Sequence, residues 1–282
     1  MVGTFRIDRA AALLSSLDRL ILAVDSVEGA VALNNRAEEL GVRFEVRLEI
    51  DTYARRTGVS IGKVLSVAKT IHALKSLSLT GIFTFKSLVY QGKPTTDVAL
   101  AAEEEGQLMD FVAALLRDSG IPIVDVSAGS SPTAVAVAQT GLVTEVRPGT
   151  YIFNDYMLYK KGMCSLDQLA AKVYATVVSA NHSDYAIIDG GSKTFSTDVP
   201  LGSYYPGYAV VEGNENLILQ RMNEEHGIIV AEDGKTNLAV GEFLTLLPIH
   251  VCTSMNMHNH VYLLEEDGSL TKQKVEARGC LV

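Results

Sequence analysis

Residues 20 to 150 alternate between short apolar segments and longer amphipathic segments, and this alternation constrains the fold more than any other feature. Strands that alternate with helices at this spacing are typical of parallel βαβ units. The sequence predicts five strands, at Leu20–Ser26, Phe44–Asp51, Leu79–Lys86, Ile123–Ser127 and Glu145–Arg147. It predicts helices at Ala30–Leu40, Ser60–Leu74 and Asp97–Arg117, and a short one from about Thr133.

The character of the chain changes after Tyr151. Shorter β-rich runs follow, separated by glycines and Asn/Asp clusters of the kind that form turns between antiparallel strands. We therefore predict an α/β protein with a partial (β/α) barrel over residues 1–155 and a mainly antiparallel β domain over residues 156–282.

Charge and cysteine content narrow the expected partners. The net charge of -9 argues against nucleic acid or an anionic membrane as the main partner, because either would require a basic face. Small metabolites are the expected partners. The three cysteines are too few and too scattered for a disulfide framework, which favours a reducing cytoplasm. The sequence has no signal-peptide pattern and no apolar run near the roughly 18 residues that span a bilayer.

Small and charged residues follow several of the predicted strands, where a parallel barrel has its active site. Arg55 and Arg56 lie in the loop after the second strand. The loop from Ser127 to Thr133 carries small residues whose N–H groups and hydroxyls suit a phosphate at a helix start. Gly149, after the fifth strand, would allow the backbone to approach the same ligand. Each loop also fits an ordinary turn, because Gly, Ser and Pro are common there for backbone reasons.

His250 and Cys252 are separated by one residue in a stretch that we predict to be extended. In a strand both side chains would therefore project from the same face and could share one zinc ion. Two protein ligands would leave positions open for water or substrate, which is the arrangement of a catalytic site. The alternative is that both are ordinary core residues of a buried strand.

These motifs together resemble the D-serine dehydratase and D-threonine aldolase family of pyridoxal-phosphate enzymes. The matching segments are Glu145–Asp155, Gly129–Thr133, Asp189–Lys193, Glu224–Gly227 and His250–Cys252, and the resemblance runs from about Leu20 to the C-terminus. It implies the alanine-racemase-like barrel of fold type III, a pyridoxal 5'-phosphate cofactor, zinc, a D-amino-acid substrate and a homodimer.

The resemblance also implies roles for individual residues. The cofactor phosphate would be held by Gly129, Ser130, Ser131, Gly149 and Thr150. Arg56 would approach the pyridine ring, although Tyr53 stands where the corresponding alanine racemase loop usually has glycine. His250 and Cys252 would bind zinc beside the β-hydroxyl of the substrate. His-x-Cys is the dehydratase pattern and His-x-Asp the aldolase pattern, so Cys252 favours β-elimination over aldol cleavage, while racemisation stays open.

Family members carry the Schiff-base lysine on the first barrel strand, whereas motif alignment makes Leu20–Ser26 the fourth. The expectation is that three βα units, about 90 residues at roughly 30 per unit, are absent, and that the chain as given is inactive. The remaining strands would have open edges and an exposed apolar core. Lys86, at the carboxyl end of the third strand, is the candidate replacement; alternatively it is a solvated strand-end lysine.

Three functions remain open from the sequence: a pyridoxal-phosphate D-amino-acid lyase that needs an upstream segment, a non-catalytic homologue that binds a phosphate-bearing metabolite, and a metal-dependent enzyme without pyridoxal phosphate. His226 is either an acid-base group or part of a charged turn with Glu224 and Glu225. His258 and His260 are expected to be structural, because Asn256 and Asn259 suggest a turn between them and His250.

Overall fold

The computed structural model describes residues 2–199, 205 and 207–280. The chain forms two compact units, residues 1–149 and residues 150–282. The boundary predicted from the sequence lies near residue 155, a few residues further along. Each unit has a hydrophobic core of its own.

The first unit is a parallel sheet whose strands are connected by helices. Its strands are β1 (Ile21–Val24), β2 (Phe44–Asp51), β3 (Val59–Ser60), β4 (Leu77–Phe83), β5 (Val89–Tyr90), β6 (Lys93–Pro94), β7 (Asp125–Ala128) and β8 (Glu145–Val146). Its α-helices are α1 (Thr4–Leu13), α2 (Val27–Leu40), α3 (Val64–His72), α4 (Val98–Asp118) and α5 (Ala134–Gln139). The sheet has the parallel order β1-β2-β4-β7-β8, with β3 beside β2, while β5 and β6 form a separate hairpin.

The helix boundaries follow from local capping. The Ser26 hydroxyl accepts the Gly29 N–H at the start of α2, and Gly41 ends this helix with a left-handed φ of 66°. The Asp97 carboxylate accepts the Leu100 N–H at the start of α4. The helix predicted from Ser60 instead begins as a 3-10 turn and becomes α-helical at Val64.

Strand β2 presents different chemistry on its two faces. Phe44, Val46 and Leu48 are buried in the core shared with the helices. Glu45 and Arg47 alternate with them, and the Arg47 guanidinium lies 2.9 Å from an Asp125 carboxylate oxygen. The expectation of an exposed apolar core is therefore wrong for this face of β2, which carries ion pairs.

The second unit is built on a closed antiparallel barrel. Its strands are β9 (Val173–Ser179), β10 (Tyr185–Ile188), β11 (Ala209–Val211), β12 (Asn214–Met222), β13 (Gly227–Ala231) and β14 (Phe243–Pro248), followed by the hairpin β15 (His260–Leu264) and β16 (Leu270–Lys274). Its α-helices are α6 (Tyr156–Lys160), α7 (Ser192–Phe195) and α8 (Val251–Met257). The barrel order is β10-β13-β12-β11-β14-β9. The predicted fold class, parallel βα units followed by a mainly antiparallel domain, is confirmed.

Among the described residues, none of the helices has both the length and the apolar character needed to cross a bilayer.

Candidate functional site

The loop after β7 is held by a buried carboxylate on α4. Glu105 accepts the Gly129 N–H at 2.9 Å and the Thr133 hydroxyl at 3.2 Å. The Thr133 hydroxyl oxygen in turn accepts the Ser130 N–H at 3.1 Å. Gly129 has a φ of 85°, and a Cβ there would lie 3.1 Å from the Ala134 Cα, so glycine suits this position. The N–H groups of Gly129 and Ser130 are thus already engaged within the loop.

The loop after β8 is tied to the loop after β7. The Ser131 hydroxyl accepts the Gly149 N–H at 3.0 Å. Gly149 is exposed, and a Cβ at this position would meet no atom within 4 Å. Of the predicted phosphate ligands, Gly129, Ser130, Ser131 and Gly149 therefore lie together in the first unit, and they form a small-residue cradle with room beside Gly149. The small side chains and the open space beside Gly149 leave room for a phosphate monoester.

Arg56 lies in an exposed loop after β2. Its guanidinium carbon is 4.3 Å from the ring centroid of Phe85, which follows β4. Tyr53 and Arg55 in the same loop have positive φ values of 77° and 52°, which non-glycine residues rarely adopt. The substitution of Tyr53 for the usual glycine thus coincides with a left-handed backbone at that position.

Lys86 lies three residues beyond the end of β4 and is buried. Its Nζ atom is 2.6 Å from a Glu104 carboxylate oxygen and donates to the Ala101 carbonyl at 3.0 Å. The alternative expectation of a solvated lysine is therefore wrong. A paired and buried ammonium group is poorly placed to act as a nucleophile, because it must first lose both its proton and its partners.

His250 and Cys252 lie at the start of helix α8, not in a strand. Strand β14 ends at Pro248, His250 is the N-cap of α8 with extended backbone, and Cys252 is in the first helical turn. The geometric argument from strand alternation is therefore wrong, yet the two side chains still meet in a hydrogen bond. This arises because the chain turns at the N-cap, which brings the capping side chain over the first turn of the helix.

Several neighbours fix the electrostatics of the pair. The hydrogen bond with Cys252 raises the pKa of His250 to about 9, and the hydrogen bond with His250 lowers the pKa of Cys252. The His250 Nδ1 atom is 3.0 Å from the Asp198 carbonyl oxygen, and the Thr150 hydroxyl is 3.6 Å from the Cys252 sulfur. This environment favours the thiolate, which is the metal-binding form of cysteine.

Asp155 anchors the helix that carries the pair. One carboxylate oxygen accepts the Leu158 N–H at 3.0 Å and thereby caps α6, and the other accepts the Val251 N–H at 3.2 Å. Burial raises the pKa of Asp155, while these two backbone hydrogen bonds oppose that shift. The sequence offered no signal for this role, since the second contact joins residues 96 positions apart.

Two of the quoted motifs pack against each other in the second unit. A Cβ on Gly191 would lie 2.4 Å from the Asn223 carbonyl, and a Cβ on Gly227 would lie 2.4 Å from the Gly190 carbonyl. Both positions therefore require glycine for close backbone approach. The contact sets the start of α7, whose Phe195 carbonyl accepts the Ser254 hydroxyl of α8 at 2.5 Å. The motifs Asp189–Lys193 and Glu224–Gly227 thus support the helix that bears Cys252.

Three further histidines considered in the sequence, at positions 226, 258 and 260, are not among the hydrogen-bond partners of the pair. His226 is exposed, beside Glu224 and Glu225, which pair with Lys193, and this favours the charged-turn interpretation. The His258 Nε2 atom is 3.1 Å from the Thr194 carbonyl, and His260 is exposed at the start of β15. The structural role expected for His258 agrees with this contact.

Within the described part of the chain, no group of three or more His, Cys, Asp and Glu side chains is arranged to hold a metal ion. His250 and Cys252 supply two donors of the types that zinc prefers. The pair therefore fits a partial zinc shell that needs further ligands from elsewhere.

Comparison with known proteins identifies the family of the chain. The alanine racemase N-terminal domain model matches residues 1–157, and the serine dehydratase domain model matches residues 170–264. The chain is 34% identical over 268 residues to a D-threo-3-hydroxyaspartate dehydratase of Delftia sp. (strain HT23), covering 89% of this chain and 70% of that protein. It is 26% identical to a D-threonine aldolase of Arthrobacter sp., and the match covers 94% of this chain and 69% of that protein.

The structure of the dehydratase from Delftia sp. HT23 superposes with a TM-score of 0.85 and 30% identity, covering 97% of this chain and 76% of that one. These matches define the class as alanine-racemase-like fold type III. The chain belongs to the D-serine dehydratase and D-threonine aldolase family of pyridoxal-phosphate-dependent enzymes. The resemblance identified from the sequence motifs is thereby confirmed.

Proposed function

We propose that this chain serves a pyridoxal-phosphate- and zinc-dependent D-amino-acid lyase that eliminates the β-hydroxyl of a β-hydroxy-D-amino acid. The observation that carries the proposal is the hydrogen-bonded pair of His250 and Cys252 at the start of α8. The 34% identity to a D-threo-3-hydroxyaspartate dehydratase supports elimination over aldol cleavage. A cytoplasmic homodimer is part of this proposal, and the free thiols of all three cysteines agree with a reducing compartment.

Two solved mutants of D-threo-3-hydroxyaspartate dehydratase support the assignment of the zinc pair. One replaces a histidine and the other replaces a cysteine two positions later, and the cysteine mutant was solved in the metal-free form. The spacing of the two replaced residues equals that of His250 and Cys252. Zinc, when bound, would supply a Lewis acid that helps a hydroxyl group leave.

Residues of the first unit would hold the cofactor. Ser130, Ser131 and Gly149 would meet the phosphate, with Thr150 following Gly149 in the chain and Gly129 contributing the loop's shape. Pyridoxal phosphate, when bound, supplies an electron sink that makes the α-proton of an amino acid acidic. Arg56, already stacked on Phe85, would present its guanidinium to the ring of the cofactor.

A metal held by His250 and Cys252 would act on the β-hydroxyl of the substrate. To hold zinc, the imidazole would have to be neutral and the thiol deprotonated, so zinc binding would release protons. The Asp198 carbonyl and Asp155 would orient the imidazole and the start of α8, respectively. Overall the substrate loses its α-proton and β-hydroxyl as water, and hydrolysis yields a 2-oxo acid and ammonia.

Product analysis tests the reaction class. The protein, supplied with pyridoxal phosphate and zinc, is incubated with D-threo-3-hydroxyaspartate or D-serine. We expect equal amounts of 2-oxo acid and ammonia, and loss of both when a chelator removes zinc. Glycine and an aldehyde would establish the aldolase alternative, and interconversion of enantiomers would establish racemisation. Activity that survives cofactor depletion but not chelation would establish a metal-dependent enzyme without pyridoxal phosphate.

A second candidate function, cofactor binding without catalysis, is favoured by the engagement of Lys86 with Glu104. Borohydride reduction in the presence of pyridoxal phosphate, followed by peptide mapping, distinguishes the two. We expect no label on Lys86, because its ammonium group is buried and paired. A label on Lys86 would make this lysine the cofactor's covalent partner. Cofactor binding with no labelled lysine and no turnover would establish the non-catalytic alternative.

A further inference from the structure

Glu105 is a fully buried acidic residue in the middle of α4, surrounded on its helix face by Ala101, Ala102 and Met109. An ionised carboxylate in such surroundings costs several kcal/mol unless hydrogen bonds and charges compensate it. An apolar side chain would pack at this position without that cost. The presence of a carboxylate at this buried position is therefore explained by the groups that its two oxygens contact.

Both oxygens contact the loop after β7. One accepts the Gly129 N–H at 2.9 Å, and the other accepts the Thr133 hydroxyl at 3.2 Å. The Thr133 hydroxyl oxygen also accepts the Ser130 N–H at 3.1 Å. The Glu105 carboxylate thus holds both ends of a five-residue loop. It binds Gly129 through the backbone N–H and Thr133 through the side-chain hydroxyl.

Lys86 provides the compensating charge. Burial raises the pKa of Glu105, and this shift is opposed by the hydrogen bond from the Gly129 N–H, by the charge of Lys86 and by the hydrogen bond from Thr133. The Lys86 ammonium group itself pairs with Glu104, the preceding residue of α4. Lys86 therefore binds α4 through Glu104 and Ala101, beside the buried carboxylate of Glu105 that holds the loop. This gives Lys86 a structural role that is independent of any covalent chemistry.

We infer that Glu105 is a positioning residue that holds the loop Gly129–Thr133 in the shape that receives a phosphate monoester. The inference rests on the proposed function, in which this loop meets the cofactor phosphate. Because the loop is organised before any ligand arrives, ligand binding costs less conformational entropy. Loss of Glu105 should therefore weaken binding of the phosphate specifically, and leave the rest of the cofactor's contacts unchanged.

The test compares two ligands that differ only in the phosphate. Dissociation constants for pyridoxal 5'-phosphate and for pyridoxal are measured with wild type, Glu105→Leu, Glu105→Gln and Glu103→Gln. Glu103 is exposed two residues earlier on the same helix and serves as the matched control. We expect Glu105→Leu to weaken pyridoxal phosphate at least tenfold and to change pyridoxal less than twofold. Glu105→Gln, which retains one acceptor, should restore part of the loss, and Glu103→Gln should behave as wild type.

The outcomes separate the two proposals. Equal affinity of wild type for both ligands would overturn the proposed phosphate site itself. A wild-type preference for pyridoxal phosphate that persists in Glu105→Leu would overturn the inference and leave the site intact. An equal loss for both ligands would also overturn it, because that is the signature of a general structural role.

Circular dichroism establishes whether Glu105→Leu folds. If it does not, Thr133→Val decides, because it removes one donor to Glu105 and the acceptor of the Ser130 N–H without burying a new charge. A phosphate-specific loss in Thr133→Val supports the inference, and an unchanged preference overturns it.

Discussion

At the scale of single residues, Asp155 shows how one buried carboxylate can fix two helix starts. It caps α6 through the Leu158 N–H and also accepts the Val251 N–H of α8. Two backbone donors that would otherwise be orphaned in the interior are thereby satisfied. Asp155 therefore stabilises the fold and the position of His250 and Cys252 at the same time.

We predict that Asp155→Ala lowers the free energy of unfolding by about 2–4 kcal/mol, since two buried N–H groups lose their acceptor. Asp97→Ala is the matched control, because Asp97 also caps a helix but its hydrogen bond to the Leu100 N–H is exposed. That control should cost about 1 kcal/mol. Urea denaturation of both variants gives the comparison. Equal losses would show that the second contact of Asp155 contributes nothing.

Residue identities at the candidate site were more predictable than residue geometry. His250 and Cys252 were identified from their spacing and from the surrounding motifs, but they were placed on a strand. Helix α8 was missed because its sequence, with Val251 and Thr253 early and Asn256 late, has weak helix propensity. Glu105 was missed because nothing in an isolated helix sequence shows that a glutamate faces a loop 24 residues later.

At the scale of elements, the charged face of β2 is a distinctive feature of the first unit. The Arg47 guanidinium is buried and pairs with Asp125 at 2.9 Å and Glu145 at 2.8 Å. These partners belong to β7 and β8, so the arginine links three strands across one face of the sheet. The alternation of Glu45 and Arg47 with apolar residues was visible in the sequence, whereas their cross-strand partners depend on strand order.

We predict that Arg47→Leu lowers the free energy of unfolding at pH 7 by about 3 kcal/mol, because Glu145 loses its ion-pair partner and Asp125 keeps only Arg19. Arg36→Leu is the control, since Arg36 pairs with Asp8 and Glu39 at more exposed positions. Its cost should stay below about 1 kcal/mol. Chemical denaturation of the two variants measures both values, and equal losses would contradict a special role for Arg47.

The same cluster predicts a pH dependence of stability. The hydrogen bond from Arg47 lowers the pKa of Glu145 below its unfolded value. Its stabilising contribution is therefore complete above the unfolded pKa, which is about 4.3, and is lost as the pH falls through the lower folded pKa. Between pH 5 and pH 2 the unfolding free energy of wild type should fall more steeply than that of Arg47→Leu. Parallel pH profiles would refute this coupling.

At the scale of the whole molecule, the sequence predicted the order of the two architectures because strand-helix alternation and antiparallel turns differ along the chain. The two units have separate cores, with the phosphate cradle in the first and the His250–Cys252 pair in the second. Each proposed ligand should therefore stabilise local structure in its own unit. The strand order of the closed barrel was not predictable, since short β runs of similar composition can pair in many ways.

We predict that zinc slows amide hydrogen exchange in α8, and that pyridoxal phosphate slows it in the loop Gly129–Thr133, because a ligand stabilises the segment that binds it. Magnesium is the control cation, since it prefers oxygen ligands and should leave α8 unchanged. Exchange measured by mass spectrometry on peptides from each segment gives the result. Zinc that leaves α8 unprotected would argue against the pair as its ligand.

The central claim is that His250 and Cys252 together bind zinc, and zinc binding measured by metal analysis after dialysis tests it most directly. The variants are His250→Ala, Cys252→Ser and, as a control, Cys280→Ser, which alters another exposed thiol. The account predicts one zinc ion per chain in wild type and in Cys280→Ser, and loss of at least tenfold in affinity in each of the other two variants. Zinc binding that persists unchanged in both His250→Ala and Cys252→Ser would contradict it.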